Sequence, residues 1–148
     1  CIHSAIDVLK KTHGQVIVIS SIQSKFGVPA HSAYSASKHA VDGLIGSLRL
    51  ELQNSGINFM SVYPHWIRGT EMRQNALGSN GEKIGNQKRS HSKSSISAEN
   101  CARTIIDALP QRNESLYIPG KLKYLPVLKM LLPPIFRWLI RSKINSQK

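Results

Sequence analysis

The chain has 148 residues, 41% of them hydrophobic, and a formal net charge of +12. This length allows one domain with a buried core, and the apolar fraction argues against a globally disordered chain. The charge is uneven, because residues 81–148 hold thirteen of the twenty Lys and Arg residues. The sequence has no zinc finger, no aromatic RNA-binding motif and no compact basic helix. We therefore expect no nucleic-acid partner.

The only cysteines are Cys1 and Cys101, and neither lies in a Cys-x-x-Cys pair or a Cys/His cluster. This argues against a disulfide framework and a structural zinc site, so we assign no metal. A reducing compartment, the cytoplasm, is the expected location. The chain begins at Cys1 rather than at Met, and we expect it to be a piece of a longer protein.

The first half of the chain alternates helix and strand. An apolar face over residues 2–12 predicts a helix, and "QVIVIS" at 15–20 predicts a strand buried on both faces. Residues 33–54 form a long predicted helix that Gly56 ends, and 57–63 form the next strand. The apolar stripe of the long helix consists of Val41, Leu44, Ile45, Leu48 and Leu52.

The second half begins with a polar stretch, residues 65–97, which predicts a long loop with a short helix near 71–77. A helix restarts after Ser97, whose hydroxyl can cap it, and "SLYIPG" predicts a third strand. Alternating helices and strands predict parallel strands joined by right-handed crossovers. We therefore expect residues 1–120 to form an α/β domain built on a parallel sheet.

The tail, residues 121–148, is rich in Leu, Ile, Phe and Trp, with Lys and Arg spaced through it. Its charges, together with Pro126, Pro133 and Pro134, argue against a membrane span, which needs about 20 apolar residues. Two interrupted amphipathic helices are predicted instead. They can fold back over a core or a substrate pocket as a lid, or they can contact a membrane surface. Both roles stay open.

Three residues have the make-up of a proton-transfer site. Tyr34 and Lys38 are four residues apart on the long predicted helix, so their side chains share a face. Ser21 follows the first strand, and ligands of open parallel sheets bind beyond the carboxyl ends of the strands. An ammonium favours the ionised form of a nearby phenol, and a hydroxyl can hold a substrate oxygen beside it. Such a site suits proton transfer while a cofactor carries a hydride.

The segment "GQVIVISSIQSKFGVPAHSAYSASKHAVDGLIGSLRLEL" resembles the catalytic segment of the short-chain dehydrogenase/reductase family. The resemblance rests on the Ser-Ser pair after a strand, the spacing of thirteen residues from Ser21 to Tyr34, and the Tyr-x-x-x-Lys motif in "YSASK". It implies that Tyr34 is the general acid/base. It also implies that Lys38 holds the nicotinamide ribose and favours ionisation of the tyrosine, and that Ser21 orients the reacting oxygen.

The following segment, "VYPHWIRGTEM", resembles the part of the family that lies along the nicotinamide cofactor. The resemblance implies that Pro64, Ile67 and Thr70, together with Tyr34 and Lys38, contact NAD or NADP. Two positions depart from the family pattern: His65 stands where glycine is usual, and Gly69 is inserted before Thr70. Because glycine reaches positive φ cheaply, Gly69 can restore the freedom lost at His65.

Gln23, Val28 and His31 lie in the loop that often touches substrate in this family, which makes them candidate substrate contacts. The family's Gly-rich phosphate loop has no counterpart in this sequence, since "GSNGEKIG" follows no strand. We therefore interpret the chain as the C-terminal part of a dehydrogenase. The resemblance implies that residues 1–120 form the C-terminal half of a doubly wound α/β fold, a Rossmann-like, three-layer parallel sheet.

The predicted function is an NAD(P)-dependent oxidoreductase that interconverts an alcohol and a carbonyl. The alternative is a non-catalytic module, built on a decayed oxidoreductase fold, that binds a membrane surface or a partner. The expected substrate is a small molecule, and the apolar tail favours a lipophilic one. We also expect a homo-oligomer, because the first two helices resemble those through which family members dimerise. A peripheral membrane contact is compatible with either function.

Overall fold

The computed structural model describes residues 2–72, 75–76, 81–83, 85 and 95–145. Apart from two short strands, its helices and strands follow the order that the sequence predicts. In chain order, they are α1 (Ile2–Thr12), β1 (Gln15–Ile19), α2 (Ser32–Glu51), β2 (Asn58–Pro64), β3 (Ile67–Arg68), β4 (Ile96–Ser97), α3 (Ala98–Ala108), β5 (Ser115–Ile118), α4 (Tyr124–Leu131) and α5 (Pro133–Asn145).

The main sheet has the order β1–β2–β5, and both of its strand pairs are parallel. Val16 pairs with Phe59, and Ser61 pairs with Ser115, so the three strands run side by side. Their carboxyl ends therefore meet at one edge of the sheet, where parallel sheets bind ligands. The predicted parallel arrangement is confirmed.

Helices cover both faces of this sheet. Side chains of β2 point alternately to opposite sides, so each face contributes its own apolar residues to the packing. Phe59 packs with Ile45 of α2 and with the apolar residues of α1. Met60 and Val62 pack on the other side against Cys101 of α3. Burying each large apolar side chain contributes about 1.5–3 kcal/mol, so these two clusters hold the layers together. The predicted α/β three-layer fold is confirmed.

Two details of the predicted packing are wrong. Leu44, which we expected on the buried stripe of α2, is 55% exposed. It lies at the margin of the stripe, while Ile45 at its centre is 1% exposed. β1 is not buried on both faces: Ile19 is 48% exposed and the rest of the strand is half-buried. β1 pairs only with β2 in the described sheet, so one of its edges has no strand beside it.

The predicted loop over residues 65–97 contains a short strand pair that the sequence does not signal. Ile67 of β3 pairs in parallel with Ile96 of β4, and the Ile96 amide donates to the Trp66 carbonyl at 3.0 Å. Residues 71–72 and 75–76 form turns and a bend rather than the predicted helix over 71–77, whose other three residues lie outside the described ones. Ser97 caps α3 as expected, because its hydroxyl accepts from the amide of Asn100 at 3.2 Å.

The tail forms two helices, as the sequence predicts, and they fold back onto the loop that follows β1. Phe26 of that loop meets Phe136 of α5 edge to face, with ring centroids 5.0 Å apart. Ile22 and Leu122 complete this buried cluster. Within the described residues, no helix combines the length and the apolar character that crossing a bilayer requires.

Candidate active site

Ser21 lies just beyond the end of β1 and begins the loop that leads to α2. Its backbone is extended, and its hydroxyl accepts from the amide of Gln23 at 3.2 Å, which caps the 3₁₀ turn Ile22–Ser24. The residue is buried, with 7% of its surface exposed. A serine hydroxyl has one proton and two lone pairs, so this bond leaves Ser21 able to donate to another oxygen.

Tyr34 and Lys38 lie on the first turns of α2, as predicted. The Lys38 Nζ lies 5.7 Å from the centroid of the Tyr34 ring, within the range of a cation–π contact. The same Nζ donates to the carbonyl of Ile19 at 3.3 Å. This bond ties the helix to the last residue of β1, two positions before Ser21. The tyrosine is 37% exposed, so its ring is accessible to a ligand.

Gln23 braces the loop against the start of α2. Its Nε2 lies 3.1 Å from Nδ1 of His31, and its Oε1 accepts from the hydroxyl of Ser35 at 3.2 Å. Since the backbone amide of Gln23 also donates to the Ser21 hydroxyl, this one residue connects the serine, the histidine and the residue next to Tyr34. Two of the three candidate substrate residues therefore form one network beside the tyrosine. The third, Val28, is half-buried against the Phe26–Phe136 cluster.

The candidate cofactor residues lie at and beyond the end of β2. Pro64 is the last residue of the strand and is buried, Ile67 is half-buried in β3, and Thr70 is exposed. Gly69 has a φ of +80°, a backbone conformation that glycine adopts without the steric cost of a side chain. The inserted glycine thus takes the left-handed conformation for which the sequence makes it suitable.

His65 is partly buried at the carboxyl edge of the sheet. Its amide donates to the Ile118 carbonyl at 2.8 Å and continues the ladder between β2 and β5. Its Nδ1 is buried and has no hydrogen-bond partner among the described residues. Burial lowers the pKa of His65 below its ordinary value of 6.5, and the positive charges of Lys143 and Lys121 lower it further.

This lowered pKa predicts a pH dependence of stability. Just below pH 6.5 the unfolded chain binds more protons at this position than the folded chain. The free energy of unfolding should therefore fall as the pH drops from about 7.5 to 5.5, measured by urea unfolding. His65→Asn should weaken this dependence, because it removes the titrating imidazole. An unchanged pH dependence in His65→Asn would contradict the assignment.

The sequence gives no sign of a second polar cluster, which lies beneath the loop. Lys25 Nζ lies 2.5 Å from Oδ2 of Asp42, and the hydroxyl of Tyr63 donates to Oδ1 of Asp42 at 2.6 Å. The Lys25 ammonium also lies 4.4 Å from the centroid of the Tyr63 ring. Burial acts to lower the pKa of Lys25, but its hydrogen bonds to Asp42 and Tyr63 outweigh that effect and raise it. The cluster joins the loop, α2 and β2 below the candidate site.

The described residues contain no group of three or more His, Cys, Asp and Glu side chains that could hold a metal ion. The groups that do come together are a serine hydroxyl, an exposed phenol and an ammonium, at the carboxyl edge of a parallel sheet. This set can hold an oxygen atom and exchange a proton with it. Fold and site together define a Rossmann-like α/β protein.

Comparison with known proteins identifies the family. Residues 1–80 match the sequence model of the short chain dehydrogenases, and the chain belongs to the short-chain dehydrogenase/reductase family. Family membership does not favour the alternative of a decayed, non-catalytic module.

Relatives extend the match beyond those residues. The chain is 34% identical over 141 residues to dehydrogenase/reductase SDR family member 7B of Xenopus tropicalis, covering 95% of this chain and 45% of that protein. It is 32% identical over 138 residues to a dehydrogenase/reductase SDR family protein 7-like of Drosophila melanogaster, covering 91% and 41%. The chain therefore spans less than half the length of these relatives.

Solved structures show the same fold. A short chain dehydrogenase from Burkholderia cenocepacia, in complex with NADP, has a TM-score of 0.68 and 20% identity, with 90% of this chain and 50% of that chain covered. A short-chain dehydrogenase from Sphingobium yanoikuyae, in complex with NADPH, has a TM-score of 0.64 and 18% identity, with 98% and 48% covered.

Proposed function

We propose that this chain carries the catalytic residues of an NAD(P)-dependent oxidoreductase that interconverts an alcohol and a carbonyl. The observation that carries the proposal is the position of Lys38, whose Nζ lies over the Tyr34 ring and bonds the end of β1. That double contact favours a working pair over an ordinary helix surface, because it joins the tyrosine to the strand end that leads into Ser21.

In the proposed mechanism, Ser21 holds the substrate oxygen through its free donor capacity and Tyr34 exchanges a proton with that oxygen. The Lys38 ammonium stabilises negative charge on the tyrosine oxygen, and electrostatic stabilisation of this kind is a large component of catalysis. The nicotinamide cofactor, when bound, supplies or accepts the hydride.

The donor set supports a nicotinamide and ribose end of the cofactor at this edge of the sheet. Lys38 and Tyr34 offer donors suited to ribose hydroxyls, and the exposed Thr70 offers a hydroxyl beyond β2, near Pro64 and Ile67. NAD and NADP both fit this proposal, and the NADP and NADPH complexes among the similar structures support a dinucleotide of this class. A Gly-rich phosphate loop is not part of the printed sequence.

For the substrate, we propose a small alcohol or carbonyl compound of apolar character. Val28 packs on the apolar cluster made with α4 and α5, so an apolar wall lies next to the Gln23–His31 network. This supports the proposal that residues 121–148 act as a lid.

The cytoplasm remains the proposed compartment, because the two cysteines of the sequence are isolated from each other and from any Cys/His cluster. Fractionation of cells that express the chain tests that placement.

We also propose a homo-oligomer that forms through α1 and α2. Val8 of α1 is 64% exposed, and Leu44 and Leu50 of α2 are 55% and 73% exposed. Exposed large apolar side chains on adjacent helices are typical of a surface that another subunit covers. Sedimentation velocity on the chain should show a dimer or larger species that Leu44→Ser with Leu50→Ser dissociates; a monomeric wild type would contradict this.

The proposed function is tested on a fusion protein that adds the N-terminal part of a relative to this chain. The chain is fused behind the part of the Xenopus tropicalis relative that precedes the matched residues, and oxidation of NADH and NADPH is followed with a panel of aldehydes and ketones. Ser21→Ala should lower kcat/KM about 100-fold, since a positioned group in the reaction contributes at least this much. The matched control is Ser20→Ala, the adjacent and equally buried serine, whose effect should stay within a few-fold. Loss at Ser20 with full activity at Ser21→Ala would contradict the assignment.

A further inference from the structure

The C-terminal helices α4 and α5 have one face fixed against the rest of the molecule. Phe136 is 5% exposed and meets Phe26, while Leu125, Leu128 and Ile140 pack against the same cluster. Lys129 of α4 also donates from Nζ to the carbonyl of Lys25 at 2.9 Å. Because these contacts set the rotation of both helices, the opposite faces point away from the molecule.

Those opposite faces are apolar, which is unusual for a helix that contacts water. Met130 of α4 is 72% exposed and Trp138 of α5 is 69% exposed. The other large apolar side chains exposed in this segment are Tyr124, Val127, Leu131, Leu132 and Ile135. We call these seven residues the outer apolar face. An exposed apolar surface of this kind marks an interaction site.

The charge around this face has one sign. From residue 115 to the end of the printed sequence there is no Asp and no Glu, while Lys and Arg recur throughout. Pro134, Arg137, Trp138, Arg141 and Ser142 line an open groove on α5, so the tryptophan ring lies beside two arginines. Long basic side chains next to an aromatic ring can bury their apolar stems while their charged ends reach an anionic partner.

The occupant of this surface must be apolar in its interior and negatively charged at its boundary. A second copy of the same face would bring cations against cations, and an acidic peptide would leave the tryptophan and methionine uncovered. An anionic phospholipid surface offers acyl chains for the apolar residues and headgroup charge for the arginines. The two helices have 8 and 13 residues, too few to cross a bilayer, which needs about 20.

We propose that the outer apolar face of α4 and α5 lies on the surface of an anionic membrane, with Trp138 and Met130 in the headgroup–acyl boundary and Arg137 and Arg141 on lipid phosphates and carboxylates. This surface lies on the side of α4 and α5 opposite the loop that contains Gln23 and Val28. The proposal does not depend on catalysis, since it uses none of the site residues.

The test measures co-sedimentation of the full chain with vesicles of phosphatidylcholine and with vesicles that contain about 30% phosphatidylserine. The wild type should bind the anionic vesicles and lose affinity as salt is raised, because salt screens exposed charges. Arg137→Gln with Arg141→Gln should lower the partition coefficient on anionic vesicles about 25-fold, at roughly fivefold for each basic residue. Met130→Ser with Trp138→Ser should lower it on both vesicle types.

Matched controls lie elsewhere on the surface. Lys10→Gln with Lys11→Gln removes two exposed cations of α1, and Ile106→Ser removes an apolar side chain of α3 that is 62% exposed. Both should bind vesicles within about twofold of the wild type. Equal binding to neutral and anionic vesicles would overturn the proposal, as would loss of binding in the controls to the same degree. A vesicle-free dimer that Met130→Ser with Trp138→Ser dissociates would overturn it too, because a second copy would then cover the face.

Discussion

Replacing Tyr34 by Phe should lower kcat of the fused oxidoreductase by about 1000-fold or more, because a general acid/base contributes 10² to 10⁴ to the rate. The substitution removes one oxygen atom and keeps the ring that faces Lys38 Nζ at 5.7 Å. Binding of the reduced cofactor, followed by its fluorescence, should therefore change by no more than a few-fold. A decrease in kcat with unchanged cofactor binding would show that the substitution slows the chemical step and leaves the fold intact.

The matched control for this substitution is Tyr124→Phe, which removes the hydroxyl from a tyrosine of α4 that is 63% exposed. It should leave kcat unchanged. Circular dichroism and urea unfolding of both variants establish that neither loses structure. Turnover of the Tyr34→Phe protein within tenfold of the wild type would rule out the tyrosine as the proton-transfer group.

Asp42→Ala should lower the free energy of unfolding by about 3 kcal/mol, since breaking one partner out of a buried ion pair costs several kcal/mol. The aspartate accepts from both Lys25 and Tyr63, so its removal leaves a partly buried ammonium and a buried phenol without their acceptor. Tyr63 is 1% exposed and cannot turn to water in compensation. Urea unfolding of the chain measures the change.

Two further variants separate the contribution of the ion pair to the free energy of unfolding from the general effect of removing a carboxylate from a helix. Asp107→Ala, at an exposed position of α3, should change stability by less than about 0.5 kcal/mol. Lys25→Met with Asp42→Leu and Tyr63→Phe should recover much of the loss, because apolar groups of similar volume often replace a buried ion pair at little cost and no phenol is then left without its acceptor. A loss below about 1 kcal/mol in Asp42→Ala would show that the cluster contributes little.

The fold was largely predictable because each element has a pattern several residues long. The β-branched run before Ser20 and the 3.6-residue period of α2 each involve enough positions to distinguish strand from helix. Strands β3 and β4 have two residues each, and no periodicity exists over two residues. The exposure of Ile19 and Leu44 depends on which elements lie beside them, which a local pattern does not contain.

The positions of the candidate site residues on the fold were predictable, while their catalytic roles stay predictions. Ser21, Tyr34 and Lys38 were found from their spacing and from the family resemblance, and the structure adds the bond from Lys38 to the Ile19 carbonyl. Lys25 and Asp42 are seventeen residues apart and lie in a loop and a helix. Only the packing of that loop on α2 brings them together, so no sequence pattern could have signalled the pair.

The transfer of deuterium from a cofactor labelled at C4 of the nicotinamide to a carbonyl substrate tests the central claim most directly. The fused protein, supplied with labelled NADH or NADPH and the carbonyl panel, should give an alcohol that carries deuterium on the former carbonyl carbon, detected by mass spectrometry. The Tyr34→Phe protein should give almost none while still binding the cofactor. A wild-type fusion that binds the cofactor and transfers no deuterium to any substrate, or a Tyr34→Phe protein that transfers it as fast, would contradict the account.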